Sequence, residues 1–419
     1  MDGASSTRSG TAHYSPAMSR GPGGEWRLAT VGLLTMCLLV AAAAPAGAAH
    51  NDRSVRTGRP RTDRTSSHRS SPLFEGLQTL VSMPGGPPGA IALVQTGSQI
   101  TVDSAGVGDV ATGRPIAPGD AVRIASVSKA FNGAVALSLV THKKLSLTDT
   151  IGRRLPFLPR SWAPVTLAEL LHHTSGLPDY IHSLAFLDLL KADPHAELTP
   201  LQLLSYVTHQ CPLFTPGSRY GYSDTDNIVV GLMVETVTQE SYEAALAQEV
   251  TGPLDLTGTT LPDNPELTEP YVHGYAIEPG APPEDISTYL NPGLAWASGG
   301  MLSTPAELNQ FMRAYVRGRF TDRTTRRQQF QFVPGSSGPP GPGANSAGLA
   351  IFRYRTTCGT VYGHTGNFPG YTIFAAATAD GSRSITVIVN EQLNDNPVTP
   401  VFTQLRAVDG LGVCAALHS

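Results

Sequence analysis

The 419-residue sequence has little of three features that would point to common protein classes. It has only four cysteines, its histidines have no metal-ligand companions at useful spacing, and it carries no nucleotide or flavin signature. Neither a metal nor a cofactor is therefore expected. Charged residues make up 15% of the chain, and residues 72–419 carry 20 Lys and Arg against 29 Asp and Glu. This acidic balance gives no reason to expect nucleic-acid binding.

Long apolar runs are also scarce, and the first one lies near the start of the chain. Arg20 and Arg27 precede an apolar run over residues 28–44, and the small residues APAGAAH follow it. A basic flank, an apolar centre and a small-residue exit predict a secretory signal peptide over residues 1–49. The run is short for a membrane span of about 20 residues. We expect a secreted or cell-envelope protein without stable membrane insertion, with an uncleaved N-terminal anchor as the alternative.

The stretch that follows is rich in arginine and poor in apolar residues. Residues 50–71 include six arginines and almost no side chain that could join a core, which predicts a disordered linker. Three cysteines remain after the signal peptide, at positions 211, 358 and 414. Export permits a disulfide, and an odd count leaves one thiol over.

The remaining chain, residues 72–417, is predicted to form one composite domain with two lobes. Two strands near residues 89–106 precede a helix that begins near residue 126, and several strands and a last helix occupy the C-terminal part. Between them, short helical stretches alternate with Pro- and Gly-rich connections. We therefore expect one antiparallel sheet lobe (about 72–147 and 292–417) with a mostly helical lobe (about 148–291) inserted into it.

A serine and a lysine stand three positions apart in RIASVSKAF, residues 123–131. On the first turn of a helix, Ser126 and Lys129 lie on the same face. Serine needs a neighbouring base to act as a nucleophile, and a partly buried lysine at a helix start can be neutral and supply one. The alternative is a capping serine beside a lysine whose stem packs on apolar surface.

A tyrosine and an aspartate stand two positions apart in RYGYSDTDN, residues 219–227. A phenol can carry a proton between a nucleophile and a leaving group, which is the role we assign to Tyr222. Asp224 would lie beside it and orient the substrate or Lys129. An ordinary turn is the alternative for this stretch.

The third polar stretch is YGHTGNFPGY, residues 362–371. His364 and Thr365 offer hydrogen-bond donors to a substrate carboxylate or carbonyl. Gly366 carries no side chain, which would let a substrate backbone approach the strand. A polar edge strand that turns at the glycine is the alternative.

Taken together, these three stretches resemble the motifs Ser-x-x-Lys, Tyr-x-Asn and Lys/His-Thr-Gly of the serine β-lactamase and penicillin-binding protein family. The resemblance covers about residues 75–417 and is closest to secreted D-alanyl-D-alanine carboxypeptidases and class C β-lactamase-like hydrolases. It implies an α/β (α+β) fold with an antiparallel sheet flanked by helices. The matching stretches are SVSK at 126–129, YSD at 222–224, HTG at 364–366, LLHHTSGLPDY at 170–180, FTPGSRYGYSD at 214–224, ASGGMLSTPAEL at 297–308 and GHTGNFPGY at 363–371.

The resemblance also implies roles for individual residues. Ser126 would be the acylated nucleophile, Lys129 its proton acceptor or electrostatic partner, and Tyr222 the shuttle to the leaving group. The backbone N–H groups of Ser126 and Asn367 would form the oxyanion hole. Asp224 departs from the family's usual Asn. A carboxylate cannot donate a hydrogen bond to a substrate carbonyl, so it would not make the contact that the Asn side chain makes. Its charge could instead hold Lys129 protonated and shift the role of base toward Tyr222.

Three further positions follow from the same resemblance. His364 stands where many β-lactamases have lysine, as in the secreted carboxypeptidase subgroup. Arg353 and Arg355, just upstream, are candidates to bind the terminal carboxylate of a peptide through a bidentate contact, with exposed strand arginines as the alternative.

Cys358 and Cys414 look like a disulfide of that subgroup, one that ties the last helix to the active-site strand. Cys211 would then be the unpaired thiol, and we expect it to be buried rather than reactive.

The function implied is that of a secreted serine hydrolase that acts through an acyl-enzyme. A D-alanyl-D-alanine carboxypeptidase on peptidoglycan peptides is the first expectation, and a β-lactamase or an esterase on the same scaffold is the second. A member that only binds peptides stays open because of Asp224. The substrate of this protein would be a peptide or a β-lactam, and the protein is expected to be a monomer.

Overall fold

The structure is a computed structural model that describes residues 18–20, 26–28, 71–395 and 397–418. The predicted signal peptide and linker fall outside these residues, apart from two three-residue strands and Ser71. Secretion and signal cleavage therefore stay predictions. Among the helices in these ranges, none is long and apolar enough to cross a membrane.

The strands vary from two to ten residues in length. In chain order they are β1 (Met18–Arg20), β2 (Trp26–Leu28), β3 (Gly89–Thr96), β4 (Gln99–Gly106), β5 (Val122–Arg123), β6 (Tyr275–Ala276), β7 (Glu284–Asp285), β8 (Leu302–Ser303), β9 (Val333–Pro334), β10 (Ala344–Gly348), β11 (Ile351–Thr356), β12 (Gly359–Phe368), β13 (Tyr371–Ala377) and β14 (Arg383–Val389).

The α-helices run from four to nineteen residues. They are α1 (Pro72–Ser82), α2 (Ser128–Thr141), α3 (Ile151–Arg154), α4 (Leu167–Leu171), α5 (Leu184–Ala192), α6 (Pro200–Ser205), α7 (Asp224–Thr238), α8 (Tyr242–Leu246), α9 (Trp296–Gly299), α10 (Pro305–Val316), α11 (Arg323–Gln329) and α12 (Pro400–His418). Single turns of 3₁₀ or π geometry cover Ala125–Val127, Tyr180–His182, Ala247–Thr251, Gly252–Leu254 and Pro292–Leu294.

The main sheet has eight antiparallel strands in the order β4-β3-β14-β13-β12-β11-β10-β9. Strand β3 pairs with β14, with Ala92 opposite Val387, so the two ends of the domain form one sheet. This confirms the predicted antiparallel sheet. The sequence did not predict β9 and β10, which flank a Gly- and Pro-rich loop and are short or only half-buried.

The sheet is covered by helices on both faces, which explains why its central strands are apolar on both sides. Strand β13 is buried along its whole length. Phe374 on one face packs in the core that includes residues of α1 and α12, such as Leu77 and Phe402. Ile373 on the other face packs in the core that includes residues of α2 and α10, such as Phe131.

The inserted region, residues 148–291, has short helices separated by long connections, with β6 and β7 as its strands. Its longest helix, α7, packs against α2, α4 and α9, and most of its residues are buried. Gly231 allows α7 to approach α9, because a Cβ there would lie 2.6 Å from the Trp296 ring. The start of α7 is thereby held beside the start of α2.

The disulfide joins Cys358, in the turn between β11 and β12, to Cys414 on α12. This confirms the pairing that the resemblance implied. The expectation for Cys211 is wrong, because this free thiol is exposed. It lies in the connection after α6, where a proline follows it and where the neighbouring residues are themselves exposed or half-exposed.

Candidate active site

The serine of the first motif lies in a 3₁₀ turn, residues 125–127, that leads into α2. Ala125 adopts a positive φ of 51°, a conformation that costs free energy for any residue with a side chain. Ser126 follows directly and lines the wall of a cavity. A strained residue beside a candidate nucleophile is a common feature of active sites.

The turn that carries Ser126 packs directly on β12 at Gly366. A Cβ on Gly366 would clash with the carbonyl oxygen of Ile124 and would lie 3.1 Å from the Cβ of Ala125. Position 366 therefore needs glycine because the protein's own turn occupies the space. The predicted approach of a substrate backbone to this part of β12 stays a prediction.

Lys129 is buried on the first turn of α2, with its side chain 1% exposed. Its Nζ lies 3.0 Å from Ser126 Oγ, 2.6 Å from Asp224 Oδ1 and 2.9 Å from the carbonyl oxygen of Ser298. An ammonium can donate to all three oxygens. A neutral amine can donate to Asp224 and Ser298 and still accept the proton of Ser126 with its lone pair. The contacts of Lys129 are therefore compatible with both its neutral amine form, which accepts a proton, and the ammonium form that results.

Tyr222 lies just before α7, with Lys129 Nζ 5.0 Å from its ring centre. Burial raises the pKa of Tyr222 well above 10, the charge of Asp224 raises it further, and a hydrogen bond with Ser126 acts in the opposite direction. The phenol is consequently protonated at neutral pH. It is set to donate a proton rather than to accept one.

Asp224 and Asp179 bring two carboxyl groups to the same cavity. Asp224, at the start of α7, forms the ion pair with Lys129. Asp179 caps the 3₁₀ turn at Tyr180, where its side chain accepts from the backbone N–H of Ile181. Burial, followed by the charge of Asp224, raises the pKa of Asp179 to about 7.

A second buried pair supports the ring of Tyr222 from behind. His173 Nδ1 lies 3.0 Å from Asp226 Oδ2, and the imidazole packs against Tyr222 with ring centres 4.5 Å apart. The Ser175 hydroxyl donates to the other oxygen of Asp226 at 2.5 Å. Burial raises the pKa of Asp226 well above its usual range. This arrangement fixes the segment that carries Tyr222.

The cavity is mostly apolar around these groups. One wall holds the reactive side chains Ser126, Tyr222 and Asp224 together with Asn367. The other walls are formed by Ile181, Phe186, Leu187, Leu190, Leu290, Leu294, Phe368 and Pro369. A second cavity, lined by residues such as Leu213 and Phe214, adjoins the first, and the two share Asp179, His182 and Tyr222.

Asn367, the residue predicted to complete the oxyanion hole, lies near the end of β12 and lines the same cavity as Ser126. Its side-chain amide donates to Asn394 Oδ1 at 2.5 Å, and its Oδ1 accepts from the Thr372 hydroxyl at 3.0 Å. These contacts hold the strand end in place. The two predicted oxyanion residues are thus brought to one cavity.

The other predicted site residues do not line this cavity. His364 is fully buried against Phe352, and its Nδ1 lies 2.5 Å from the Thr365 carbonyl oxygen. Burial lowers the pKa of His364 to about 3, so it is a neutral imidazole. The Thr365 hydroxyl lies 2.6 Å from both Ser337 Oγ and the Pro339 carbonyl oxygen. Its hydrogen bonds are therefore made within the protein.

Arg353 and Arg355 likewise do not line the cavity. The Arg353 Nε donates to Ser346 Oγ at 3.0 Å, and its guanidinium stacks over the Phe332 ring at 4.5 Å. Arg355 is exposed on β11. The structure therefore does not bring either arginine to where a carboxylate next to Ser126 would lie.

Two contributors were not assigned from the sequence. Ser298 acts through its backbone carbonyl, which no side-chain pattern reveals. Asp179 stands in the quoted stretch LLHHTSGLPDY, and its isolated carboxylate carries no spacing signal.

Comparison with known proteins gives a consistent result. A family model described as Beta-lactamase matches residues 77–408. Penicillin-binding protein 4* of Bacillus subtilis is 22% identical over 73% of this chain and 68% of its own length. Protein flp of Staphylococcus aureus (strain MRSA252) is 23% identical over 76% of this chain, which spans 62% of that relative.

Solved structures share the fold. A D-stereospecific amidohydrolase from Streptomyces sp. has a TM-score of 0.68 and 29% identity, and the match covers 76% of this chain and 94% of that one. The D-amino acid amidase from Ochrobactrum anthropi SV3, complexed with D-phenylalanine, has a TM-score of 0.69 and 22% identity, with 81% and 98% covered.

Proposed function

This chain belongs to the beta-lactamase family and is a serine hydrolase of that superfamily. We propose that it hydrolyses amide bonds of D-amino acid derivatives through an acyl-enzyme at Ser126. The observation that carries this proposal is the 3.0 Å contact between Ser126 Oγ and the buried Lys129 Nζ. The 29% identity to a D-stereospecific amidohydrolase supports the choice of an amide of a D-amino acid as substrate.

The proposed reaction has two balanced stages. Ser126 Oγ attacks the carbonyl carbon while its proton passes to the neutral amine of Lys129, and the oxyanion is held by the N–H groups of Ser126 and Asn367. The C–N bond then breaks, the leaving nitrogen takes the proton of the Tyr222 hydroxyl, and the ammonium of Lys129 returns a proton to Tyr222. Water next attacks the ester carbonyl on Ser126 while the amine of Lys129 takes one of its protons. The bond from the carbonyl carbon to Ser126 Oγ then breaks, Ser126 Oγ receives that proton, and the acid is released.

A D-alanyl-D-alanine carboxypeptidase is the second candidate, and similarity to a penicillin-binding protein favours it. Such an enzyme needs a cation for the terminal carboxylate of its substrate. Arg353 and Arg355 do not line the cavity, whereas Asp179 and Asp224 do. This charge balance is the reason for placing the amidohydrolase first.

The test is intact-mass spectrometry after mixing the protein with four acyl donors: D-phenylalanine amide, diacetyl-L-lysyl-D-alanyl-D-alanine, nitrocefin and p-nitrophenyl acetate. We expect an acyl adduct on Ser126 and turnover of the D-amino acid amide. Ser126→Ala should lose the adduct and at least about 10⁴-fold in turnover, because the nucleophile is removed. Labelling that persists in Ser126→Ala would refute this assignment of the nucleophile.

The same panel separates the candidates. Faster release of the terminal D-alanine than of ammonia from the amide would favour the carboxypeptidase. Rapid and repeated opening of nitrocefin would favour a β-lactamase, because this requires fast deacylation. Absence of any adduct with every donor would refute a serine hydrolase at this site.

A further inference from the structure

Asp179 lies where the two cavities adjoin, and its charge is not used by the ion pair of the active site. Lys129 is paired with Asp224 at 2.6 Å. His182 Nδ1 lies 3.7 Å from Asp179 Oδ2, beyond hydrogen-bond distance, and the His182 side chain is 43% exposed. The carboxyl side chain of Asp179 is only 7% exposed.

One oxygen of Asp179 is left without a hydrogen bond. Its Oδ1 accepts from the backbone N–H of Ile181 at 3.4 Å, which caps the turn. Its Oδ2 is buried and has no hydrogen-bond partner among the described residues. A buried carboxylate oxygen in this state is unfavourable, and a donor that enters the cavity would relieve it.

The charged residues that line the cavity indicate whether the group that donates to Asp179 is positively charged. Among the described residues, its ionisable lining consists of Asp179, Asp224, His182, Tyr180 and Tyr222, with no lysine or arginine. The remaining lining is largely aliphatic and aromatic, which strengthens electrostatic attraction by excluding water. A positively charged group therefore suits this site better than a carboxylate.

The position of Asp179 next to the nucleophile limits what this group can be. Asp179 and Ser126 line the same cavity as Asp224, Asp224 is paired with Lys129, and Lys129 contacts Ser126. A cation bound at Asp179 is thus close to the carbonyl that Ser126 attacks. The α-ammonium of an amino acid is two bonds from its own carbonyl carbon, so this group is within reach.

We propose that Asp179 is a substrate-binding residue that holds the free α-ammonium group of a D-amino acid amide or ester, so that substrates with an unblocked amino terminus are preferred. This inference rests on the proposed function and adds the substrate class. The aliphatic wall formed by Phe186, Leu187 and Leu190 is suited to a large apolar side chain on the same amino acid. N-acylated peptides lack the ammonium and gain nothing from Asp179.

The protonation of Asp179 gives the proposal a pH dependence. Burial and the charge of Asp224 raise the pKa of Asp179 to about 7, while His182 and Lys129 lower it. The preference for an ammonium is expected to be greatest between about pH 7 and the α-amino pKa of about 8. The titratable groups that face Asp179 are Lys129 on α2, Tyr180 and His182 on the 3₁₀ turn, Tyr222 before α7, and Asp224 and Asp226 on α7.

The experiment compares D-phenylalanine amide with N-acetyl-D-phenylalanine amide for the wild type, Asp179→Asn and Asp188→Asn. Asn at position 179 keeps the oxygen that caps the turn and removes the charge. Asp188 on α5 is 75% exposed and does not line the cavity, so Asp188→Asn changes the net charge equally. The readout is the ratio of kcat/KM for the free amine to that for the acetylated amide.

We expect the wild type and Asp188→Asn to favour the free amine by at least tenfold. Asp179→Asn should lower this ratio by about 10- to 100-fold, since it removes a charge-assisted hydrogen bond that only the free amine makes. An unchanged ratio in Asp179→Asn would overturn the proposal, as would equal rates for both amides in the wild type.

A second measurement uses only the wild-type protein and covers the case in which Asp179→Asn does not fold. D-Phenylalaninol, which has the ammonium and no acyl group, should inhibit the reaction with p-nitrophenyl acetate at least tenfold more strongly than N-acetyl-D-phenylalaninol. Equal inhibition would overturn the proposal. Acylation of Ser126 by p-nitrophenyl acetate without this preference would refute the ammonium site alone, whereas no acylation at all would refute the proposed function.

Discussion

Two clusters of ionisable side chains have similar composition and opposite surroundings. The site cluster consists of Lys129, Asp224 and Asp179, whose side chains are between 1% and 11% exposed. In the surface cluster, His273 Nδ1 lies 2.6 Å from Asp285 and Nε2 lies 3.0 Å from Glu269, and those two carboxylates are 44% and 60% exposed.

The difference shows what burial does to the same kind of contact. Water can replace either partner in the surface cluster, so each of its ion pairs contributes little to stability. In the site cluster the partners are almost fully buried, and the loss of one partner leaves a buried charge uncompensated. A short distance is therefore not a measure of an ion pair's contribution. The three predictions that follow test this contrast, from the largest effect to the smallest.

The largest effect is expected for Lys129→Met, which removes the only lysine in contact with Asp224 and Ser126. We expect a loss of at least about 10³-fold in acylation rate and a decrease of about 3–5 kcal/mol in the free energy of unfolding, because Asp224 would be left unpaired. Mass spectrometry of the acyl adduct and urea denaturation measure the two effects.

The double variant Lys129→Met/Asp224→Leu is the control for this prediction. Removing both charges should recover most of the lost unfolding free energy while acylation stays absent. If the double variant is as unstable as Lys129→Met alone, the cause is lost packing rather than an unpaired charge.

A moderate effect is expected for Asp224→Asn, which keeps an oxygen near Lys129 and removes the negative charge. The amide also offers a substrate carbonyl the N–H donor that a carboxylate lacks. We expect kcat/KM to rise about three- to tenfold, measured in parallel with Asp285→Asn in the surface cluster, which should not change it. A fall in kcat/KM would show that the carboxylate is required.

The smallest effect is expected for His273→Asn. Burial lowers the pKa of His273, but hydrogen bonds to Asp285 and Glu269 outweigh it and raise the pKa overall. Burial raises the pKa of Asp285, and the contacts with His273 and Ser287 outweigh it and lower that pKa. The contribution of the pair is thus complete between about pH 4 and 6.5 and is lost as the pH rises through the raised pKa of His273 or falls through the lowered pKa of Asp285.

Thermal unfolding of wild type and His273→Asn across this range measures the contribution. We expect a difference of under about 1 kcal/mol near pH 5.5, because the carboxylates are largely exposed, and almost none above pH 8. A difference as large as that of Lys129→Met would contradict the contrast between the two clusters.

Much of the framework could be predicted from the sequence because its signals are local. The alternation of apolar residues placed β3 and β4 at the start of the domain and β11 to β14 near its end, and the Ser-Thr-Pro stretch placed the start of α10. Strand β10 and helix α11 were missed, since one borders a Gly- and Pro-rich loop and the other, RTTRRQQ, has no apolar face.

The positions of side chains could be predicted less well. The sequence suggested that His364 and Thr365 would face a substrate, yet the turn before Ser126 and the loop at Ser337 fill the space around β12. Cys211 was expected to be buried because free cysteines usually are, but it lies in an exposed connection. Such errors arise because burial depends on which distant segment covers a residue.

The sequence by itself determined which chemical groups and strands are present: a hydroxyl three residues from an amine at a helix start, a phenol before a second helix, and two strands at the start of the domain with several more near its end. Only the tertiary structure decided that Asp179 joins this group and that Arg353 and Arg355 do not. The physical reason is that spacing along a helix or strand fixes the relation of near neighbours, whereas the charge balance of a cavity is the sum over residues that are far apart in the chain.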